Sequence, residues 1–349
     1  MPIESIQLTT DYSISRIIKG GWHLAGGHGS IDQAEAVADM LAFVESGITT
    51  FDCADIYTGV EAMIGQFLRK EKDSFRSGNL PQVQVHTKYV PDYSALSTLT
   101  PQQTEAIINR SIQRLGVDQL DLVQFHWWDY QIPGYVETAM NLMDLKRKGK
   151  IRNLAVTNFD TGHLQEMLDA GLEIISHQVQ YSVLDQRVED QMLQQAKNHS
   201  YYFLCYGVIA GGFLSDRYLG VAEPKAPLEN RSLTKYRLII EEFGSWDFFQ
   251  ECLQLLRKFA DQYQVDIAEI AARYILQKEQ VGGVIIGARN RKHLEKYKQI
   301  FTFSLSTQDL NEIDIFLGKA NGPKGPFYAL ERDKEGRHGR IMKYNLNKD

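Results

Sequence analysis

Eight short runs rich in β-branched, aromatic and other apolar residues recur between residues 16 and 301, separated by amphipathic stretches. They are RIIKGG, ITTFDC, VQVHTK, LDLVQFH, RNLAVTNF, ISHQVQ, YYFLCY and GGVIIG. Several are apolar almost throughout, as strands buried on both faces require. Helix signals fill the gaps. Asp32 with Glu35 has capping-box spacing, and Val37, Met40, Leu41 and Val44 form one apolar stripe that ends before Gly47. Thr100 with Pro101 and Gln103 repeats the start signal, and Ile108, Ile112 and Leu115 lead down to Gly116. Asp266 and Glu269 open another helix.

Regular strand–helix alternation predicts parallel strands joined by right-handed crossovers. A doubly wound dinucleotide sheet needs G-x-G-x-x-G after its first strand, whereas GGWHLAGGHG at 20–29 has its glycines at other spacings. No phosphate loop of the G-x-x-x-x-G-K-[ST] type occurs. The pattern predicts an α/β fold of the (β/α)8 TIM-barrel class, one catalytic domain over 1–318. Residues 215–245 read as a polar loop inserted after the seventh strand, over the site. Residues 319–349 are Gly- and charge-rich and read as a C-terminal tail that packs in extended form or is partly mobile.

Composition narrows the function classes. The 349 residues are 43% hydrophobic with a formal charge of −6, so nothing suggests the basic face that nucleic acid needs. Cys53, Cys205 and Cys252 are too few and too widely spaced for a disulfide framework or a zinc site. No apolar run approaches the roughly 20 residues of a membrane span. The N-terminus lacks a secretory pattern, so a soluble cytoplasmic protein with no membrane partner is expected.

Barrel enzymes build their sites at the C-terminal strand ends. There the chain places Trp22, then Asp52 with Tyr57 five residues on, then Lys88, then His126 followed by Trp127 and Trp128. Each alone has a plainer explanation: a capped carboxylate, a packing tyrosine, a snorkelling lysine, a core histidine. Together they make a proton-transfer device. A tyrosine hydroxyl ordinarily titrates near pH ~10. A neighbouring ammonium favours the tyrosinate, a carboxylate holds that ammonium, and a histidine orients a carbonyl oxygen or relays a proton. His86 reads as packing.

In this order FDCADIY, VHTKY, QFHWWDY, VTNFD and CYGVIAGGFLS resemble the motifs of the aldo-keto reductase family over about residues 13–318. The resemblance implies metal-free, NAD(P)H-dependent reduction of aldehydes or ketones. Tyr57 would be the general acid, Lys88 would depress its pKa, Asp52 would pair with Lys88, and His126 would position the carbonyl. It also implies a cofactor cradle of Thr157, Asn158, Gln178 and Tyr206, with Gly207, Gly211 and Gly212 admitting the pyrophosphate. Read without the family, Asn158 is a helix cap before Asp160 and the glycines a turn. Arg289 and Arg291 after the eighth strand suit a 2′-phosphate, favouring NADP with NAD as the alternative. Where the family often has Glu-Asn near the adenine, this chain has Lys296 and Tyr297, and Thr157 replaces a commoner serine. Trp22 and Trp128 are expected to line the pocket for a small carbonyl substrate. Two other functions share these residues: oxidation of a sugar or polyol with Tyr57 as base, and a cofactor-binding regulatory subunit with little turnover. Against the regulatory reading, the chain shows no long exposed apolar stripe or heptad, and the sequence leaves the oligomeric state undetermined.

Overall fold

The eight apolar runs become eight parallel strands in the computed structural model, which describes residues 2–26 and 29–347. Gly27 and His28 of the glycine-rich stretch, and the last two residues of the tail, lie outside the described residues. A hairpin comes first, β1 (Ser5–Thr9) with β2 (Tyr12–Ser15). The barrel strands follow: β3 (Ile17–Gly20), β4 (Thr50–Asp52), β5 (Gln84–Tyr89), β6 (Leu120–Phe125), β7 (Ile151–Thr157), β8 (Ser176–Gln180), β9 (Tyr202–Tyr206) and β10 (Val281–Gly287). β10 pairs with both β3 and β9, which closes the sheet into the (β/α)8 barrel.

The caps form as the sequence dictates. The Asp32 carboxylate accepts from the backbone of Ala34 and Glu35 at the head of helix Gln33–Glu45. Thr100 and Gln103 exchange the reciprocal bonds of a capping box, with Pro101 in the first turn and Gly116 at φ 68° closing the helix. Asp266 and Glu269 make a second box. Capping satisfies backbone donors that the first helical turn leaves unpaired.

The hairpin lay outside the expected elements, although IQLT and YSIS alternate around a two-residue turn. Its Leu8, Tyr12 and Ile14 pack with Ile18, Leu122, Ala155 and Leu204, sealing the end of the barrel from which β3 starts. The Tyr12 hydroxyl lies 3.1 Å from His86 Nε2, so His86 is a floor residue.

The insertion and the tail cover the opposite end. The insertion holds a helix, Arg231–Phe243, where a loop was expected. Its buried Leu233, Tyr236, Ile239, Ile240 and Phe243 follow helical spacing, and Asn230 caps it at 3.0 Å from Leu233 N. The tail packs against the barrel top, with Phe327, Tyr328, Glu331 and His338 buried. Among the described residues no helix is long and apolar enough to cross a membrane.

Candidate functional site

Four strands send polar side chains into the upper barrel, where they meet on one carboxylate. Asp52 ends β4, and both its oxygens accept from Lys88 Nζ of β5, at 2.8 and 2.7 Å. Lys88 also donates to the carbonyl of Cys53 at 2.9 Å. Gln124 of β6 and Gln178 of β8 donate their amide nitrogens to Asp52 Oδ1 at 2.9 and 2.6 Å, and Gln178 also donates to Gln124 Oε1 at 2.8 Å. A buried ion pair persists when its remaining lone pairs and protons are satisfied, as they are here. Sequence reasoning missed Gln124. It lies in register with Lys88, and a glutamine inside an apolar strand was the available signal.

Tyr57 stands above this network with Lys88 Nζ 5.1 Å from its ring centre. Burial pushes its hydroxyl above the ordinary tyrosine range; Lys88 pulls it down and Asp52 partly cancels that pull. Lys88 therefore acts in the direction the sequence suggested, but burial outweighs it, and the phenol keeps its proton at neutral pH. Burial works against the Lys88 charge as well, yet Asp52 and Tyr57 carry its titration upward, so the ammonium stays charged.

His126 follows β6 on the far side of the site. Its Nδ1 lies 3.1 Å from the carbonyl oxygen of Thr157, and a carbonyl only accepts, so Nδ1 carries the proton. Burial first, then the charge of Arg332, lowers its pKa to about 3, although the Thr157 bond opposes this. His126 is thus neutral, with Nε2 an acceptor. Aromatic rings pack against Tyr57 and His126. Trp22 packs 5.1 Å from Tyr57, Trp128 stands edge-on at 4.6 Å from His126, and the tail residue Tyr328 stands edge-on at 5.9 Å from it.

The expected cradle residues also gather at the strand ends. Asn158 adopts a left-handed backbone (φ 62°), and its Oδ1 accepts from the Tyr206 hydroxyl at 2.8 Å, while Asp160 caps the next helix. Among the described residues, Asn158 Nδ2 and Gln178 Oε1 have no protein partner. One free donor beside one free acceptor fits the primary carboxamide of a nicotinamide. The Thr157 hydroxyl is engaged by the carbonyl of Gln178 at 3.2 Å. Gly207 has a packing reason to be glycine, because a Cβ there would stand 2.7 Å from the Tyr236 hydroxyl; Gly211 likewise faces Tyr236 and Ser232. Gly212, at φ 107°, opens onto free space and can admit a phosphate. Farther out, Arg289 donates to the carbonyl of Ser30, and the exposed Arg291 pairs with the buried Asp39 at 3.4 Å. Lys296 is held by Asp266, and Tyr297 is buried.

Sequence reasoning placed the 215–245 insertion over the site but named no residue in it or in the tail as part of the layer that covers these groups. Arg332 of the tail donates to the carbonyls of Trp127 and Asn158 and to the Tyr130 hydroxyl, stacking 3.9 Å above the Tyr130 ring. Glu331 pairs with Arg187, itself bound to Asp185. Asn347 donates to Asp55 Oδ2 and to the carbonyl of Val90, at 2.9 and 3.0 Å. Lys235, on the insertion helix, lies 4.8 Å from the centre of the Tyr206 ring.

Comparison with known proteins bears on the family and the fold. The sequence model of the Aldo/keto reductase family matches residues 16–317. The chain is 27% identical over 332 residues to the NADH-specific methylglyoxal reductase of Escherichia coli K12, covering 86% of this chain and 94% of that protein. It is 24% identical over 310 residues to the L-glyceraldehyde 3-phosphate reductase of Escherichia coli O157:H7, covering 84% and 86%. Among solved structures, a glycerol dehydrogenase from Gluconobacter oxydans superposes with a TM-score of 0.74 at 23% identity, covering 92% of this chain and 98% of that one, a likeness of fold.

Proposed function

Because the chain belongs to the aldo/keto reductase family, we propose that it reduces a small aldehyde or ketone to the alcohol with a nicotinamide dinucleotide, Tyr57 giving the proton. The observation that carries this reading is the Lys88 ammonium, gripped by both oxygens of Asp52 and set beneath the Tyr57 ring. When bound, the cofactor supplies the hydride, and the protein supplies orientation and electrostatics.

Tyr57 holds its proton at neutral pH and releases it to the oxygen as negative charge develops there. Lys88 stabilises the tyrosinate left behind, and Asp52 with Gln124 and Gln178 keeps the ammonium in place. His126 contributes differently from the expectation that it orients a carbonyl. With Nδ1–H bound to Thr157, the Nε2 lone pair accepts from a hydroxyl, either the phenol before transfer or the alcohol after it. Asn158 and Gln178 offer the carboxamide one donor and one acceptor, and Tyr206 gives an aromatic face nearby.

We assign NADPH over NADH from Arg289 and Arg291, whose charge suits a 2′-phosphate. The buried Asp39 beside Arg291 opposes that choice, as does the relative named for NADH. Binding titrations with the two cofactors decide it, and tighter NADH would reverse the assignment.

The acceptor state of His126 also supports a second reading, oxidation of a sugar or polyol by the same residues in reverse. Initial rates separate the two. NADPH with an aromatic aldehyde should outrun NADP+ with a sugar and polyol panel, and the opposite ranking would establish the oxidative direction. Cofactor binding without turnover in either assay would instead mark a regulatory subunit.

A further inference from the structure

We propose that Lys235 forms an anion subsite in the substrate pocket, so that the preferred carbonyl substrate carries a carboxylate or phosphate. The inference rests on the carbonyl-reductase reading above and names the substrate class for that same site.

Lys235 lies in the second turn of the helix Arg231–Phe243, whose Ser232 and Tyr236 press onto Gly211 and Gly207 of the loop after β9. That close contact fixes the lysine over the strand ends. Its Nζ stands over three phenol rings, 4.8 Å from the centre of Tyr206, 5.7 Å from Tyr236 and 6.0 Å from Tyr328. Aromatic faces tolerate a cation but leave the three N–H donors of an ammonium without acceptors. Among the described residues no carboxylate comes within ion-pair distance of Lys235, and no hydrogen bond engages it. Asp185 is bound by Arg187 at 2.7 Å and Glu331 Oε1 by the same residue at 3.5 Å, while Glu331 Oε2 has no hydrogen-bond partner among the described residues and its charge acts on Lys235 from beyond ion-pair distance. The ammonium is half-buried, so water completes its donors when no ligand is bound, and an anion can take their place.

Tyr328 ties the ammonium to the reacting centre. One edge of this ring meets His126, with Lys235 on one side and the Arg332 guanidinium 5.5 Å from its centre. Arg332 is already engaged by Trp127, Tyr130 and Asn158, so Lys235 is the cation with donors to offer. An anionic group a short chain away from a carbonyl held between Tyr57 and His126 meets that ammonium. A cofactor pyrophosphate offers the same chemistry, and Gly212 lies on the same loop, so the experiment must separate the two sources.

The test compares the full-length wild type with Lys235→Met and Lys235→Arg, using succinic semialdehyde and the neutral butanal, with NADPH affinity measured by fluorescence. The wild type should prefer the semialdehyde. Lys235→Met should raise KM for it by about 10- to 100-fold more than for butanal, as loss of a charged hydrogen bond implies. Lys235→Arg should restore much of the difference, and NADPH affinity should hold. Equal losses on both aldehydes, no preference in the wild type, or weaker NADPH binding matching the loss would overturn the subsite. If neither aldehyde is turned over, the carbonyl-reductase reading fails separately. Calorimetry with succinate and with inorganic phosphate then decides the subsite: binding by wild type that Lys235→Met abolishes supports it, and no binding overturns it.

Discussion

The site has two layers built on different physical principles. The lower one, Asp52, Lys88, Gln124 and Gln178, is carried by barrel strands whose backbones bond each other all the way round. The upper one, Lys235, Tyr328, Glu331, Arg332 and Asn347, comes from an inserted helix and a tail held by side-chain contacts. A closed sheet fixes its side chains to fractions of an ångström, whereas a strap fixed at a few points can open locally. On the proposed reading, chemistry that needs geometry rests on the lower layer and selection of what enters on the upper one.

The sharpest way to break the comparison is to cut the lower layer. Lys88→Met leaves the buried Asp52 charge facing two amides alone, which should cost about 3–5 kcal/mol in thermal or urea unfolding and abolish turnover. Adding Asp52→Asn should recover stability without recovering turnover. Recovered turnover would separate Lys88 from the chemistry.

The upper layer should respond locally. Arg332→Ala removes three hydrogen bonds and a stacked guanidinium, about 2–3 kcal/mol of tail docking. Hydrogen exchange should quicken over residues 326–347 and stay slow in the barrel strands. Uniform quickening would show that the tail belongs to the barrel's cooperative unit.

A smaller effect depends on pH. Burial raises the Asp55 carboxyl, where Asn347 docks, to about 8, although bonds from Val90 and Asn347 oppose the shift. An unfolded aspartate titrates near ~3.9. Between the two values the unfolded chain releases a proton that the folded one keeps, so stability drains as pH rises. The melting temperature of Asp55→Asn relative to wild type should therefore climb from pH 5 to pH 8. A flat difference would mean the carboxyl is ionised in the fold. The mildest expected change is at the rim. Arg289→Ala with Arg291→Ala should weaken NADPH several-fold and leave NADH unchanged, as loss of 2′-phosphate contacts requires.

The two layers also differ in how far the sequence discloses them. Asp52, Lys88 and His126 stand at or next to the C-terminal ends of strands that period and composition define, so strand order alone brings them to one rim. Gln124 stands at the same level as Lys88 but escaped because a neutral amide in an apolar strand carries no charge to mark it. The helix 231–243 was legible in the spacing of Leu233, Tyr236, Ile240 and Phe243, yet the polar residues before it suggested a loop. The tail could not be read. Arg332 meets the Trp127 carbonyl 205 positions away, and such pairings leave no local periodicity.

The account turns on the Tyr57 phenol as the proton donor above Lys88. The direct measurement is turnover of Tyr57→Phe, with cofactor binding followed in the same preparation, since the substitution removes one oxygen and keeps the ring that packs on Trp22. NADPH affinity should stay near wild type while kcat for aldehyde reduction falls by about 10²–10⁴-fold. Wild-type turnover by the phenylalanine variant would place the acid elsewhere and contradict the account.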